Sequence, residues 1–161
     1  QISQHIALRM ISRIEIPADM LEQIEAHARE AYPSECCGMI FGPKEGTTLS
    51  RVRPCVNAQD KYHALDPETF PRQSDTAYFI EPRELLAIDR ELTDRGERIA
   101  VIYHSHPDHD AYFSEEDVRR AVSEGTPIYP GTAYLVISVK GRQVVARKTF
   151  FWDEAAQTYV E

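Results

Sequence analysis

The sequence has no long apolar run, no excess of positive charge, no glycine-rich loop and too few cysteines for a disulfide framework. Each absence removes a class of function. Without roughly 18 consecutive apolar residues no membrane-spanning helix is expected. Lys+Arg number 18 against Asp+Glu 26, a formal charge of −8 with a pI near 5.3, so the basic surface that nucleic-acid binding draws on is missing. Lys140, Arg142, Arg147 and Lys148 cluster late in the chain and read as one solvated hairpin face. The 7 glycines form no phosphate-cradling loop and there is no internal repeat, which disfavours doubly wound nucleotide-binding folds. Cys36 and Cys37 are adjacent and Cys55 is the third; all three read as small buried apolar residues. No charged-then-apolar leader opens the sequence, and a reducing, cytoplasmic setting is the expectation. Amphipathic patterning becomes organised only after Met10, so residues 1–9 are expected to be a leader or cloning remnant and 10–161 a single domain.

What is present is ordinary for a globular protein: 161 residues, 42% hydrophobic and 27% charged, in a chain whose size typically buries roughly 68–70% of its unfolded surface. Ile14 to Pro17 reads as a short strand and turn. Ala18, Leu21, Ile24, Ala28 and Ala31 then recur at helical spacing until Pro33 stops the pattern. Cys37 to Gly42 reads as a buried strand and Thr48 to Val56 as its hairpin partner. Residues 57–76 are polar with no period, which predicts a long loop or insertion. Pro82 opens a second helix closed by Gly96. Arg98 to Tyr103 is a continuous apolar run that predicts a central strand. Ser114 starts a helix to about Ser123, residues 127–131 are turn-rich, and Tyr134 to Val139 pairs with Val144 to Trp152 as a closing hairpin. The order is mixed α and β.

The chemistry is concentrated in His104-Ser105-His106-Pro107-Asp108-His109-Asp110-Ala111-Tyr112-Phe113-Ser114-Glu115-Glu116-Asp117. Residues two apart on a strand point to one side, so His104 and His106 can aim both imidazoles at one point. Asp117, in the first turn of the next helix, can return a carboxylate to that point. Two histidines and one carboxylate leave a tetrahedral position open, the pattern of a catalytic zinc site. A metal so held makes hydroxide accessible at neutral pH. Glu35, beside the apolar start of a strand, is the candidate base, and Ser114 can donate a hydrogen bond to an oxyanion. Each piece alone has a plainer reading: His-x-His is common, and Ser-x-x-Asp is more often a helix cap. With the chain's 6 His, 9 Ser and 10 Asp, the joint spacing arises by chance on the order of once in a thousand. Asp108, Asp110, Glu115, Glu116 and Asp117 crowd this segment and are expected to gather round the cation. His109 reads as an exposed loop residue, His5, His27 and His63 as background, and Tyr112 and Phe113 as groove wall or core.

Glu35, then His104-Ser105-His106-Pro107, then Ser114-x-x-Asp117 after seven intervening residues, resembles the JAMM (MPN+) metalloprotease motif, with all five functional positions filled. The resemblance covers about Ile14 to Trp152. It implies a mixed α/β (α+β) fold of the JAMM/MPN, cytidine-deaminase-like type, a curved mixed sheet flanked by helices. It implies Zn2+ held by His104, His106 and Asp117, with Glu35 as general base and Ser114 stabilising the oxyanion. The short chain and the Glu35-Cys36-Cys37-Gly38 segment are most similar to the small prokaryotic Mec-like and QbsD-like hydrolases. The function so implied is hydrolysis of a peptide bond near the C-terminus of a ubiquitin-like sulfur-carrier protein, exposing its Gly-Gly end. The partner is then the carrier's C-terminal tail, docked as an added strand with residues 57–80 as the expected contact region, and no nucleic acid or membrane; a second copy of the chain is a candidate partner. The alternatives are an isopeptidase that removes a ubiquitin-like modifier from proteins, a non-catalytic MPN-type scaffold, and a cupin-like metal protein, which would leave Ser114-x-x-Asp117 unexplained.

Overall fold

In the computed structural model, which describes residues 14–161, the first helix is α1 (Ala18–Ala31), and Met20, Ile24 and Ala28 form its buried stripe. Ile24 is fully buried, a site where truncation to alanine costs about 2–5 kcal/mol. Ile14 to Pro17, expected as a strand, joins no strand; Ile14 and Ile16 instead pack against the α1 side of the core. The readings on residues 1–9, and His5 among them, lie outside the described residues.

The strands β1 (Cys37–Pro43) and β2 (Arg51–Cys55) form the expected hairpin. A short helix, α2 (Gln59–Leu65), then interrupts the region predicted as loop. Its one buried residue is the polar Gln59, so it carries no apolar stripe by which a helix could be read. Next come α3 (Pro82–Arg95), closed by Gly96 at φ 61°, and β3 (Glu97–Pro107). After α4 (Glu115–Ala121) a two-stranded ribbon, β4 (Val122–Ser123) and β5 (Thr126–Pro127), replaces the expected last helical turn. The chain closes with β6 (Ala133–Lys140), β7 (Gln143–Asp153) and an additional short strand, β8 (Thr158–Val160).

The main sheet has the order β2-β1-β3-β6-β7-β8. Only β3 and β6 run parallel; every other neighbouring pair is antiparallel. The fold is therefore mixed α/β, a mixed sheet flanked by helices, as expected. β3 lies between β1 and β6 and is buried on both faces, which is why its sequence is a continuous apolar run rather than an alternation. One face packs Cys37, Met39, Phe41 and Ile102 with Ile88 of α3. The other packs Cys36, Ile40, Val101, Tyr103 and Leu135 against α1. No helix among the described residues is long and apolar enough to cross a membrane. The basic residues of the β6–β7 hairpin are largely solvated, Lys140 pairing with Asp110 and Arg147 with Glu25.

Candidate metal centre

Alternation along β3 sorts its last residues by role. Ile102 belongs to the α3 side of the core and Tyr103 to the α1 side, so His104 and His106 follow Ile102 and Ser105 follows Tyr103. The two imidazoles meet with Nε2 atoms 3.1 Å apart, both rings buried. Ser105, on the opposite face, is a fastener: its hydroxyl accepts the Cys36 N–H at 2.8 Å and its own N–H donates to the Cys36 carbonyl at 3.2 Å. The strand that carries the histidines thus holds the residue next to Glu35.

Asp117 arrives by way of a helix cap. Ser114 Oγ accepts the Asp117 N–H at 3.1 Å, and the Ser114 N–H donates to Asp117 Oδ2 at 2.9 Å, a reciprocal capping box. The box leaves Oδ1 3.0 Å from His104 Nε2 and Oδ2 3.2 Å from His106 Nε2. The capping reading and the ligand reading of Ser114-x-x-Asp117 are therefore the same geometry. Burial opposes ionisation of Asp117, but the neighbouring imidazoles and the Ser114 N–H hold its carboxyl well below the usual carboxylate range. The other acidic residues expected round the cation turn away. Asp108 caps Gly141 and receives the Tyr32 hydroxyl, Asp110 is exposed beside Lys140, and Glu116 pairs with Arg119 and Arg120. The cause is helical and turn geometry: neighbours of Asp117 on α4 project about 100° apart, and the backbone at Asp108 turns through a positive φ of 59°.

Glu35 is held by its backbone from the polar segment that follows β2. Its N–H donates to the Ser74 carbonyl at 2.7 Å, and its carbonyl accepts Asn57 Nδ2 at 2.9 Å. Asn57 Nδ2 also donates to Ala77 O, while its Oδ1 accepts the N–H groups of Gln59 and Phe79, which fills all four of its hydrogen-bonding sites. Ser74 is fixed in turn by Asp60 through both its N–H and its hydroxyl. The Glu35 side chain is 5% exposed, and burial, together with the negative charge of Asp117, raises its carboxyl well above the usual range against the opposing pull of Arg120 and Arg72. Its Oε1 is buried with no hydrogen-bond partner among the described residues.

Glu35, His106 and Ser114 line one cavity of about 170 Å³, together with Arg72, Thr76, His109 and Tyr112. His109 thus reaches the site despite its exposed position, and Tyr112 is wall, set edge-on to His106, whereas Phe113 is core, packed on Tyr134, Phe150 and Tyr159. Tyr78 stacks on His104. Arg72, Thr76, Tyr78 and Asn57 escape the sequence reading because they lie in an aperiodic stretch; its length alone was the signal. His27 is not idle, since its Nδ1 bonds the Tyr103 hydroxyl at 2.8 Å. Cys36, Cys37 and Cys55 are buried free thiols, with burial pushing Cys36 and Cys55 up to about 12.

The donor set fits a divalent metal. His104, His106 and Asp117 offer ligand atoms all within 4.8 Å of one another. Their separations of 3.0 to 3.2 Å approach the roughly 3.3 Å edge of a tetrahedron with 2.0–2.1 Å bonds. His106 Nδ1 contacts the Asp110 carbonyl at 2.9 Å, which reserves Nε2 for a ligand role. Two imidazole nitrogens and a carboxylate converging in a buried site call for a cation between them.

Known proteins resemble this chain in both sequence and fold. A family profile described as prokaryotic homologs of the JAB domain matches residues 17–153. A desampylase from Haloferax volcanii is 31% identical over 135 residues, covering 81% of this chain and 84% of that protein. A CysO-cysteine peptidase from Mycobacterium tuberculosis is 32% identical over 125 residues, covering 78% and 73%. The solution structure of a protein from Desulfitobacterium hafniense superposes with a TM-score of 0.62 at 29% identity, covering 86% of this chain and 83% of that one.

Proposed function

The chain belongs to the prokaryotic JAB-domain family, a hydrolase acting on peptide or isopeptide bonds, and from that premise we propose the reaction, the metal and the residue roles. The reaction is hydrolysis of a peptide bond near the C-terminus of a ubiquitin-like sulfur-carrier protein, exposing its Gly-Gly end. The metal is zinc, held by His104 Nε2, His106 Nε2 and the Asp117 carboxylate. When bound, zinc supplies Lewis acidity to the substrate carbonyl and acidifies water.

Glu35 takes the proton from the attacking water as the water oxygen bonds the carbonyl carbon. It then gives that proton to the amine nitrogen as the C–N bond breaks. A raised carboxyl suits this double duty, because a base that binds its proton more firmly can both accept and return it near neutral pH. Ser114 uses an oxygen lone pair to cap α4, which leaves its O–H proton to point at the developing oxyanion. The likeness to a CysO-cysteine peptidase supports a sulfur carrier as substrate. The likeness to a desampylase supports the second reading, removal of a ubiquitin-like modifier from proteins. A non-catalytic scaffold has no use for a complete ligand set with a buried, unpartnered glutamate beside it.

The observation that carries the proposal is the convergence of His104, His106 and Asp117 in the site where Glu35 Oε1 is buried without a partner. The test is mass spectrometry of a carrier extended by one residue beyond Gly-Gly, incubated with zinc-loaded protein. Shortening by that residue is expected, with Glu35→Gln retaining zinc and losing activity. Cleavage by Glu35→Gln at the unaltered rate would falsify the base assignment.

A further inference from the structure

Arg72 lines the catalytic cavity with Glu35, His106 and Ser114, and it has no part in the hydrolysis just described. Among the described residues it is the only lysine or arginine in that lining. On its other side it faces a second cavity, with Glu116, Arg119 and Arg120. Its guanidinium is loosely held: Nη1 donates to the Thr76 carbonyl at a long 3.4 Å, and Nε stands 3.9 Å from Glu116. Glu116 accepts from Arg120 at its Oε1, at 3.1 Å, and its Oε2 is also ion-paired with Arg119. With its side chain 47% exposed, most of the donor fork of Arg72 is left for another acceptor. A planar guanidinium in that state matches a carboxylate in bidentate fashion.

We propose that Arg72 receives the α-carboxylate of the residue that leaves, so that the site favours a linear C-terminal residue over an isopeptide. This rests on the peptidase reading above. A residue cut from a chain end carries its carboxylate carbon two bonds from the scissile nitrogen, roughly 2.5 Å away, so its receptor has to stand beside the base. Arg72 shares the cavity with Glu35 and opposes the upward shift of its carboxyl. The isopeptide nitrogen of a lysine is followed instead by methylene groups, which give a guanidinium nothing to bind. A volume of about 170 Å³ is also below the roughly 300–1,000 Å³ of pockets for drug-sized ligands, and suits one small leaving residue.

The test uses two carriers identical except that the residue after Gly-Gly ends in a free acid or a primary amide. Zinc-loaded wild type is expected to cleave the acid at the lower KM. Arg72→Gln should raise KM for the acid about tenfold and change KM for the amide by no more than about twofold, with any change in kcat shared by both carriers, as loss of one charge-assisted hydrogen-bonding group predicts. Arg72→Lys should restore part of the preference. Calorimetric binding of both carriers to Glu35→Gln protein, with and without the Arg72 substitution, should show the same split in Kd. Equal handling of acid and amide by wild type, or an equal loss on both with Arg72→Gln, overturns the role of Arg72 while leaving the peptidase reading intact. Wild type that holds zinc and cleaves neither carrier overturns both.

Discussion

Tyr78 lies against His104, with ring centroids 4.9 Å apart and ring planes inclined by 28°. The tyrosine comes from the connection between α2 and α3 and the histidine from the central strand, so the contact fixes the His104 ring from outside the motif that contains it. Residues that orient ligands commonly shift metal affinity about 10–100-fold when removed. Tyr78→Ala should weaken zinc binding by about tenfold in a chelator competition, and Tyr78→Phe should leave it near the wild-type value. Equal loss in both variants would assign the effect to the hydroxyl instead.

Asn57 is the keystone of the segment that holds the base, with four hydrogen bonds that include the Glu35 carbonyl. Asn57→Ala leaves several of these backbone groups without a partner and should cost about 3 kcal/mol in denaturant unfolding. It should also lower kcat with zinc content unchanged, because Glu35 loses its fixed position while the ligands do not. A variant with wild-type stability would show that water replaces the amide without cost.

The raised carboxyl of Glu35 ties stability to pH in the metal-free protein. Burial places its folded-state value above the roughly 4.3 of an unfolded glutamate. The folded state then holds its proton longer, so the stability this group contributes is complete below the unfolded value and is lost as pH rises through the folded one. With chelator present, Glu35→Gln should melt at about the wild-type temperature near pH 4 and above it at pH 8. A gap that does not widen with pH contradicts the burial described above.

Gly38 has no room for a side chain, since a Cβ there would run into the ring of Tyr103. Tyr103 is fully buried and bonded to His27, so it cannot yield. Gly38→Ala should destabilise the fold by about 1–3 kcal/mol, measurable as a lower denaturation midpoint with an unchanged slope.

The convergence of His104, His106 and Asp117 was legible because their positions obey local rules: residues two apart on a strand, and the third residue of a capped helix. The central strand was legible because burial on both faces leaves a continuous apolar run. The neighbourhood of Glu35 was not. Asn57, Arg72 and Tyr78 act through hydrogen bonds and stacking between segments far apart in the chain, which leave no period in the sequence. Nor could the acidic residues near the histidines be sorted by composition. Asp110 and Asp117 look alike in the sequence, and only the turn and the cap decide that one meets Lys140 and the other meets two imidazoles.

Ser105 faces away from the two histidines that flank it, and this has a consequence for how such a protein can change over time. Because successive side chains on a strand point to opposite sides, a shift of β3 by one residue against β1 and β6 would exchange its two faces. Such a slip would turn both imidazoles toward α1 and put a hydroxyl where they stood. A single inserted or deleted residue in β3 is therefore a short route by which a descendant could lose the pair of imidazoles from that face.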